Sequence, residues 1–280
     1  MSANLDDSTR SLHVVWCGRT DTGQVRNNNE DNLWAAPLGA VDSQSGDSDG
    51  ETETDYPGTL LAVADGMGGA LAGEVASRLA VETQGNEMAR RSRADQPETS
   101  DRTGFGEILK GAIEAANACI RGEGENNPQR RGMGTTLTTV WLHANRAEIA
   151  QVGDSRAYLF RAGHLRQLTK DQSLVGKLID DGIITEDEAE RMAGRNIIIQ
   201  ALGTDEPLDI PHDTEVLHPG DTLMLCTDGL TGVVSNKDLE EELQQGGKPP
   251  EICARLIALA NRRGGPDNIT VLLARTSEVD

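Results

Sequence analysis

No run of eighteen apolar residues occurs in this 280-residue chain, and no basic segment leads into an apolar stretch at its start. Neither a membrane span nor a secretory signal is therefore expected, and the protein reads as cytoplasmic. Paired cysteines are missing too: Cys17, Cys119, Cys226 and Cys253 lie far apart without a CxxC spacing, which argues against a zinc knuckle or a redox motif. They read as reduced thiols that pack like small apolar side chains. A surplus of base is also lacking. The formal net charge of −20 argues against nucleic acid as a partner, because neutralising a phosphate backbone needs clustered Lys and Arg. There is no GxSxG elbow, no Cys followed by a phosphate-cradling loop ending in Arg, and no GxxxxGKS or GxxxxGKT loop, so side-chain nucleophiles and P-loop chemistry lack their signatures.

Apolar residues make up 36% of the chain, enough for one sizeable core, and no internal repeat divides it, so residues 1–280 read as a single domain. Short runs rich in Val, Leu and Ile predict strands at His13–Trp16, Leu60–Ala64, Thr136–Leu142, Glu148–Val152, Ala157–Phe160, Thr222–Cys226 and Ile269–Leu273. A hairpin turn is predicted at Gly163. Helical spacing appears in Gly73–Arg90, Phe105–Arg121 and Pro250–Arg263. Strands gathered in antiparallel-looking groups with helices between the groups favour a layered α+β domain over a doubly wound parallel one. Residues 39–58 are acidic and nearly devoid of large apolar side chains, which predicts a mobile loop. Arg90–Thr103 reads as a polar connection, and residues 171–195 as a flap beside a site.

Four aspartates share one local setting, at or just beyond a predicted strand end and next to Gly or Asn: Asp65 in LLAVADGMGG, Asp154 in AQVGDSRAY, Asp228 in LMLCTDGL and Asp267 in GGPDNITV. Any one of them is adequately explained as a turn residue. Four together suggest side chains delivered to one preorganised place. Carboxylates about 4 Å apart repel by roughly 4 kcal/mol per pair at an effective dielectric near 20, so either protons or cations must hold such a group together. Oxygen-only ligands favour Mg²⁺ or Mn²⁺, whereas zinc would recruit His or Cys. None of the five histidines joins the group. Two such ions joined by a carboxylate can position a water and lower its pKa, making a nucleophile for phosphorus. Arg26, shortly before Glu30 and Asp31 in VRNNNEDN, is a candidate bidentate clamp for a substrate phosphate.

The segments RNNNEDN, VADGMGG, GMGTTLT, VGDSRAYL, LTKDQS, NIIIQALG, LCTDGL and GGPDNITV follow one another in a familiar order. By them the chain resembles the bacterial metal-dependent protein phosphatases of the PPM family, the type 2C serine/threonine phosphatases. The resemblance implies a four-layer α/β/β/α sandwich in which two central antiparallel sheets are flanked by helices, with a binuclear Mn²⁺ or Mg²⁺ site at one end. It implies that Asp65 bridges the two ions, that Gly66 offers its carbonyl to one of them, and that Asp228 and Asp267 complete the other. Glu30 and Asp31 are implied to lie near the second ion directly or through water, Arg26 to hold the phosphate, and Asp154 with Asp228 to hold a third, weaker ion. The implied partners are phosphorylated proteins, with a serine/threonine kinase among them, and the implied state is a monomer.

Two residues depart from the family pattern. Met67 stands where animal members carry a histidine proposed as general acid, which leaves metal-bound water to protonate the leaving group. Gln172 stands where many bacterial members have a histidine. Two other readings compete: a catalytically weak member that binds phosphoproteins, which loss of a metal aspartate would favour, and a nucleotide-phosphate hydrolase, which would need a base-binding or Gly-rich phosphate loop.

Overall fold

A computed structural model describes residues 10–40, 45–69, 72–94, 102–185, 197–204 and 207–279. Among these residues twelve strands form two antiparallel sheets. One sheet runs in the order β3 (Ser48–Glu53), β1 (His13–Asp21), β12 (Ile269–Ser277), β11 (Thr222–Cys226), β8 (Arg156–Arg161) and β9 (His164–Gln167). The other runs β10 (His212–Val216), β7 (Arg146–Val152), β6 (Leu137–His143), β4 (Thr59–Met67) and β2 (Asp31–Pro37), and β5 (Gly134–Thr135) pairs with the end of β4. Helices α1 (Ala72–Ala94) and α2 (Arg102–Asn126) cover the second sheet, while α5 (Asn236–Gln244) and α6 (Pro249–Arg262) cover the first. Two short helices, α3 (Leu174–Asp180) and α4 (Asp228–Thr231), lie in connections. The result is the four-layer α/β/β/α sandwich.

The period-two alternation of strands explains the layering. On β4, Leu60, Ala62 and Ala64 pack against the helices with Met88, Phe105 and Ile113, whereas Leu61 and Val63 pack between the sheets with Leu33, Leu225 and Leu272. β2 alternates in the same way, Trp34 and Ala36 facing the helices and Leu33 and Ala35 the opposite sheet. Extended along these strands, the inter-sheet rows end at Asp65 and Asp31, which are direct cross-strand partners. Like charges placed opposite each other destabilise a sheet pair. Burial of Leu33, Leu61 and Val63, at about 1.5–3 kcal/mol each, offsets a repulsion on the order of 4 kcal/mol.

The acidic segment does not behave as a loop throughout. Ser48–Glu53 forms the edge strand β3, antiparallel to β1 over the register His13↔Glu53 to Gly18↔Ser48. Three contacts compensate for its lack of apolar side chains. The indole of Trp16 lies where a Cβ on Gly50 would stand, its Nε1 donates to Ser48 Oγ at 3.2 Å, and Arg19 pairs with Asp49. Residues 41–44 lie outside the described residues. Helix α1 likewise runs on through Ala94, beyond the point where polarity suggested a connection, and residues 95–101 are not described. Of the flap, α3 is described, capped by Ser173 Oγ accepting from Gly176 N, while residues 186–196 lie outside the described set. Strand β10 and helix α5 carry too few apolar residues to be read from spacing, and the apolar run of β2 is only four residues long and follows a polar stretch. Helix α5 instead announces itself by a capping box between Ser235 and Asp238.

Candidate functional site

The carboxylates collect at one end of the inter-sheet layer. Asp65 sits near the end of β4, its N–H donating to Thr136 Oγ1 at 2.9 Å and its carbonyl accepting from Thr136 N at 2.9 Å and Thr135 Oγ1 at 2.8 Å. Asp31 opens β2, Asp154 lies in the turn between β7 and β8, Asp228 opens α4, and Asp267 stands in the turn before β12. Asp31 and Asp154 are buried, Asp65, Asp228, Asp267 and Glu30 half-buried, and Arg26 exposed, so the group deepens from a cationic mouth to an acidic floor.

Several of these residues are locally braced. Asp31 Oδ2 accepts from Thr227 Oγ1 at 2.8 Å and from Thr270 Oγ1 at 2.7 Å, which ties the start of β2 to the ends of β11 and β12. Asn268 accepts from Glu30 N at 2.8 Å and donates to the carbonyls of Thr22 and Asn28, both at 2.9 Å, fastening the Arg26–Glu30 loop to the turn that holds Asp267. Close approach requires glycine at two places: a Cβ on Gly66 would stand 2.2 Å from the Gly73 carbonyl, and one on Gly73 would stand 2.0 Å from Glu30 Oε2. Arg26 Nη2 donates to Asp267 Oδ2 at 2.8 Å.

Electrostatics mark the group as strained in the absence of cations. Burial, followed by repulsion from Asp31, Asp228, Asp154 and Asp267, holds the Asp65 carboxyl well above the ordinary carboxylate range. Asp31 is pushed up to about 7 by burial, with its two threonine hydroxyls opposing the rise and Asp228 and Asp267 adding to it. Asp154 is also raised to about 7, by burial and then by Asp228 and Asp171. Asp228 is raised by burial and by Asp267, relieved in part by a hydrogen bond with Asp65 and by Arg26 and Arg156. Glu30 rises by burial, and Arg26 pulls it back.

These residues fit a hard cation. Every side-chain donor is oxygen, and Asp154 Oδ1 is buried without a hydrogen-bond partner. Among the described residues, no three His, Cys, Asp or Glu side chains are already drawn around one point at chelating range. The coupling therefore belongs to carboxylates facing one another across the end of the layer.

All seven sequence-predicted acidic and glycine positions, Glu30, Asp31, Asp65, Gly66, Asp154, Asp228 and Asp267, fall in this region, with Arg26 at its mouth. Three bracing residues escaped the sequence reading. Thr227, the residue between β11 and α4, and Thr270 on β12 are inconspicuous threonines, and Asn268 had the available signal of an amide directly after Asp267. Gln172 has a structural role that its position in the sequence did not reveal. Its Oε1 accepts from Gly153 N at 2.7 Å and Gln200 Nε2 at 3.1 Å, its Nε2 donates to the Asp209 carbonyl at 3.0 Å, and its backbone bonds to Gly153 and Ile199. It thereby fastens the root of the flap to the turn of Asp154. Met67 is half-buried beside Asp65 on β4, opposite Gly134.

The sandwich thus carries its acidic group at one end of the inter-sheet layer. A family profile described as protein phosphatase 2C matches residues 47–260, and the chain belongs to that family. It is 37% identical over 276 residues to the serine/threonine protein phosphatase PstP of Mycobacterium tuberculosis, covering 96% of this chain and 46% of that protein. The chain thus spans about half the length of PstP. It is also 37% identical over 258 residues to the serine/threonine phosphatase stp of Listeria monocytogenes, covering 91% of this chain and 93% of the relative. The crystal structure of M. tuberculosis PstP superposes with a TM-score of 0.78 at 37% identity, covering 96% of this chain and 100% of that one. A structure of the PstP catalytic domain in complex with two manganese ions gives 0.75 at 36% identity, covering 95% and 100%.

Proposed function

We propose that this protein is a metal-dependent serine/threonine phosphatase that hydrolyses phosphoserine and phosphothreonine in proteins, reversing the work of serine/threonine kinases. The single observation that carries this reading is the convergence of Asp65, Asp31, Asp154, Asp228 and Asp267 at the end of the inter-sheet layer, each of the first four held protonatable by burial and by its neighbours. Similarity to PstP, whose catalytic domain binds two manganese ions, supports the choice of Mn²⁺, with Mg²⁺ of the same ligand preference.

In this reading the ions would be held by Glu30, Asp31, Asp65, the Gly66 carbonyl, Asp154, Asp228 and Asp267, whose donors are all oxygen. When bound, the ions neutralise the clustered charge and supply an activated water. The chain's own residues do the remainder. Thr227 and Thr270 orient Asp31, and Asn268 keeps the Arg26 loop against Asp267. Arg26, exposed at the mouth and paired with a single carboxylate oxygen, exchanges that partner for two phosphate oxygens and orients the phosphoryl group. Met67, two residues after Asp65 on β4, offers no proton to a leaving group.

The test is release of phosphate from phosphothreonine and phosphoserine peptides with and without Mn²⁺, with ATP as a rival substrate. Hydrolysis of the peptides only with metal is the expected result. Metal-independent hydrolysis, or a preference for ATP, would refute it. Arg26→Ala should raise KM for phosphopeptide at least tenfold while Mn²⁺ binding is retained.

A further inference from the structure

Thr136, between β5 and β6, touches the backbone of one acidic residue and the neighbours of another. Its Oγ1 accepts from Asp65 N at 2.9 Å, and its N–H donates to the Asp65 carbonyl at 2.9 Å. On the other side the same Oγ1 lies 2.7 Å from Ser155 Oγ, and either hydroxyl can donate. Both residues are wholly buried. The Thr136 methyl packs against the turn of Asp154 so closely that a Cβ on Gly153, whose φ is +103°, would stand 2.6 Å from Thr136 Cγ2.

The turn is gripped on both sides of Asp154. The Gly153 carbonyl accepts from Gln151 Nε2 at 2.8 Å and from Gln172 N at 2.9 Å, and the Ser155 carbonyl accepts from Thr138 Oγ1 at 2.6 Å. Asp154 Oδ1, buried between them, has no hydrogen-bond partner. This differs from Asp31, whose own carboxylate takes two threonine hydroxyls. A carboxylate held through its neighbours is fixed in place while keeping lone pairs for a ligand. An apolar pair at 136 and 155 would fill similar space, but a hydrogen bond sets an angle as well as a distance.

We propose that Thr136 and Ser155 are positioning residues that fix Asp154 relative to Asp65, and thereby set how tightly the acidic group holds the divalent cation that Asp154 contacts. The inference rests on the phosphatase reading above for the presence of that cation. Groups that orient a metal ligand without touching the metal typically cost about 10–100-fold in metal affinity when removed.

The experiment titrates Mn²⁺ into the metal-free protein by calorimetry without substrate, and measures phosphopeptide hydrolysis on the same preparations. Asp154→Asn identifies the Mn²⁺-binding step to which Asp154 contributes. Ser155→Ala should weaken that step by about tenfold, and should leave the remaining Mn²⁺ affinity of Asp154→Asn unchanged because nothing is then left to position. Thr136→Val should weaken the step at least as much. Thr136→Ser, which keeps the hydroxyl and gives up the methyl, should stay within about twofold of wild type. Urea unfolding of the metal-free variants checks that each is folded. Thr136→Val also leaves Asp65 N without its acceptor, so if it does not fold the comparison is made between Ser155→Ala and Thr136→Ser. Unchanged Mn²⁺ affinity in Ser155→Ala, a further loss when it is added to Asp154→Asn, or a loss in Thr136→Ser as great as in Ser155→Ala overturns the proposal, while phosphopeptide hydrolysis by wild type keeps the phosphatase reading intact. A wild type that binds no Mn²⁺ overturns both.

Discussion

Glu148 on β7 and Asp65 on β4 are carboxylates built into the same sheet, and their surroundings drive them in opposite directions. Burial alone would raise Glu148, yet hydrogen bonds from His143, His212 and Thr214 outweigh it and bring the carboxyl down to about 2. The partners are close: His143 Nε2 at 3.2 Å on one oxygen, His212 Nε2 at 2.8 Å and Thr214 Oγ1 at 2.7 Å on the other. His143 is in turn held by stacking on Phe105 with ring centroids 4.0 Å apart. Asp65 is instead surrounded by carboxylates, and its value rises. A buried charge with donors on every side serves stability. One whose neighbours carry the same charge is destabilising until something positive arrives, and such arrangements collect at functional sites.

The comparison breaks most readily at Asp65. Asp65→Asn is expected to lower metal-dependent phosphate release by about 10³-fold, comparable to losing a principal stabiliser of the transition state, while leaving the metal-free protein at least as resistant to urea as wild type. A loss of stability without loss of activity would reverse the roles assigned to the two carboxylates. Glu148→Leu should do the converse, costing about 3–5 kcal/mol in urea unfolding through the stranded histidines, with kcat/KM unchanged under native conditions.

Acidity sharpens the same contrast, because the two kinds of carboxylate have opposite signs. Glu148 has a folded pKa below its ordinary value, so its contribution is complete above about pH 4.5 and is lost as pH falls toward 2. Asp31 and Asp154 have folded values raised to about 7, so in metal-free protein their contribution is complete below about pH 4 and is lost as pH rises through 7. Melting temperature with a chelator should therefore decline from pH 5 to 8, and Mn²⁺ should abolish the decline. An identical pH profile with and without Mn²⁺ would mean that the acidic group does not bind the ion.

The smallest effect is expected at the root of the flap. Gln172→Met keeps the length of the side chain but removes its bonds to Gly153, Gln200 and Asp209, and should raise KM for phosphopeptide a few-fold. Faster amide exchange at Gly153 and Ile199 should accompany that rise, and unchanged exchange would show that Gln172 fastens nothing.

The strand-end aspartates were legible because each stands next to Gly or Asn at the edge of an apolar run, Asp65, Asp154 and Asp228 after one and Asp267 before one, a pattern that survives reading one segment at a time. Strand β2 was not legible, because its first residues continue the polar RNNNEDN stretch and its apolar character emerges only where Leu33 and Trp34 find opposite faces. Strand β3 was read as mobile for the same reason. Its order comes from pairing with β1 and from Trp16 lying over Gly50, neither of which is a property of the segment itself. The bracing threonines belong to this group as well, since Thr227 and Thr270 lie 196 and 239 residues from the Asp31 they hold.

From the sequence alone came the layered α+β class, the acidic group and its preference for hard cations, since alternation and donor chemistry are local properties. Tertiary structure decided how those donors differ. Asp31 stands directly across from Asp65 because two distant strands pair in one register, Asp154 is buried with an unpartnered oxygen because the turn after β7 is held down by Gln172, and Glu148 is satisfied because His212 arrives on an edge strand. The charge a carboxylate bears depends on its neighbours in space, and those are assembled only when the sheets close over one another.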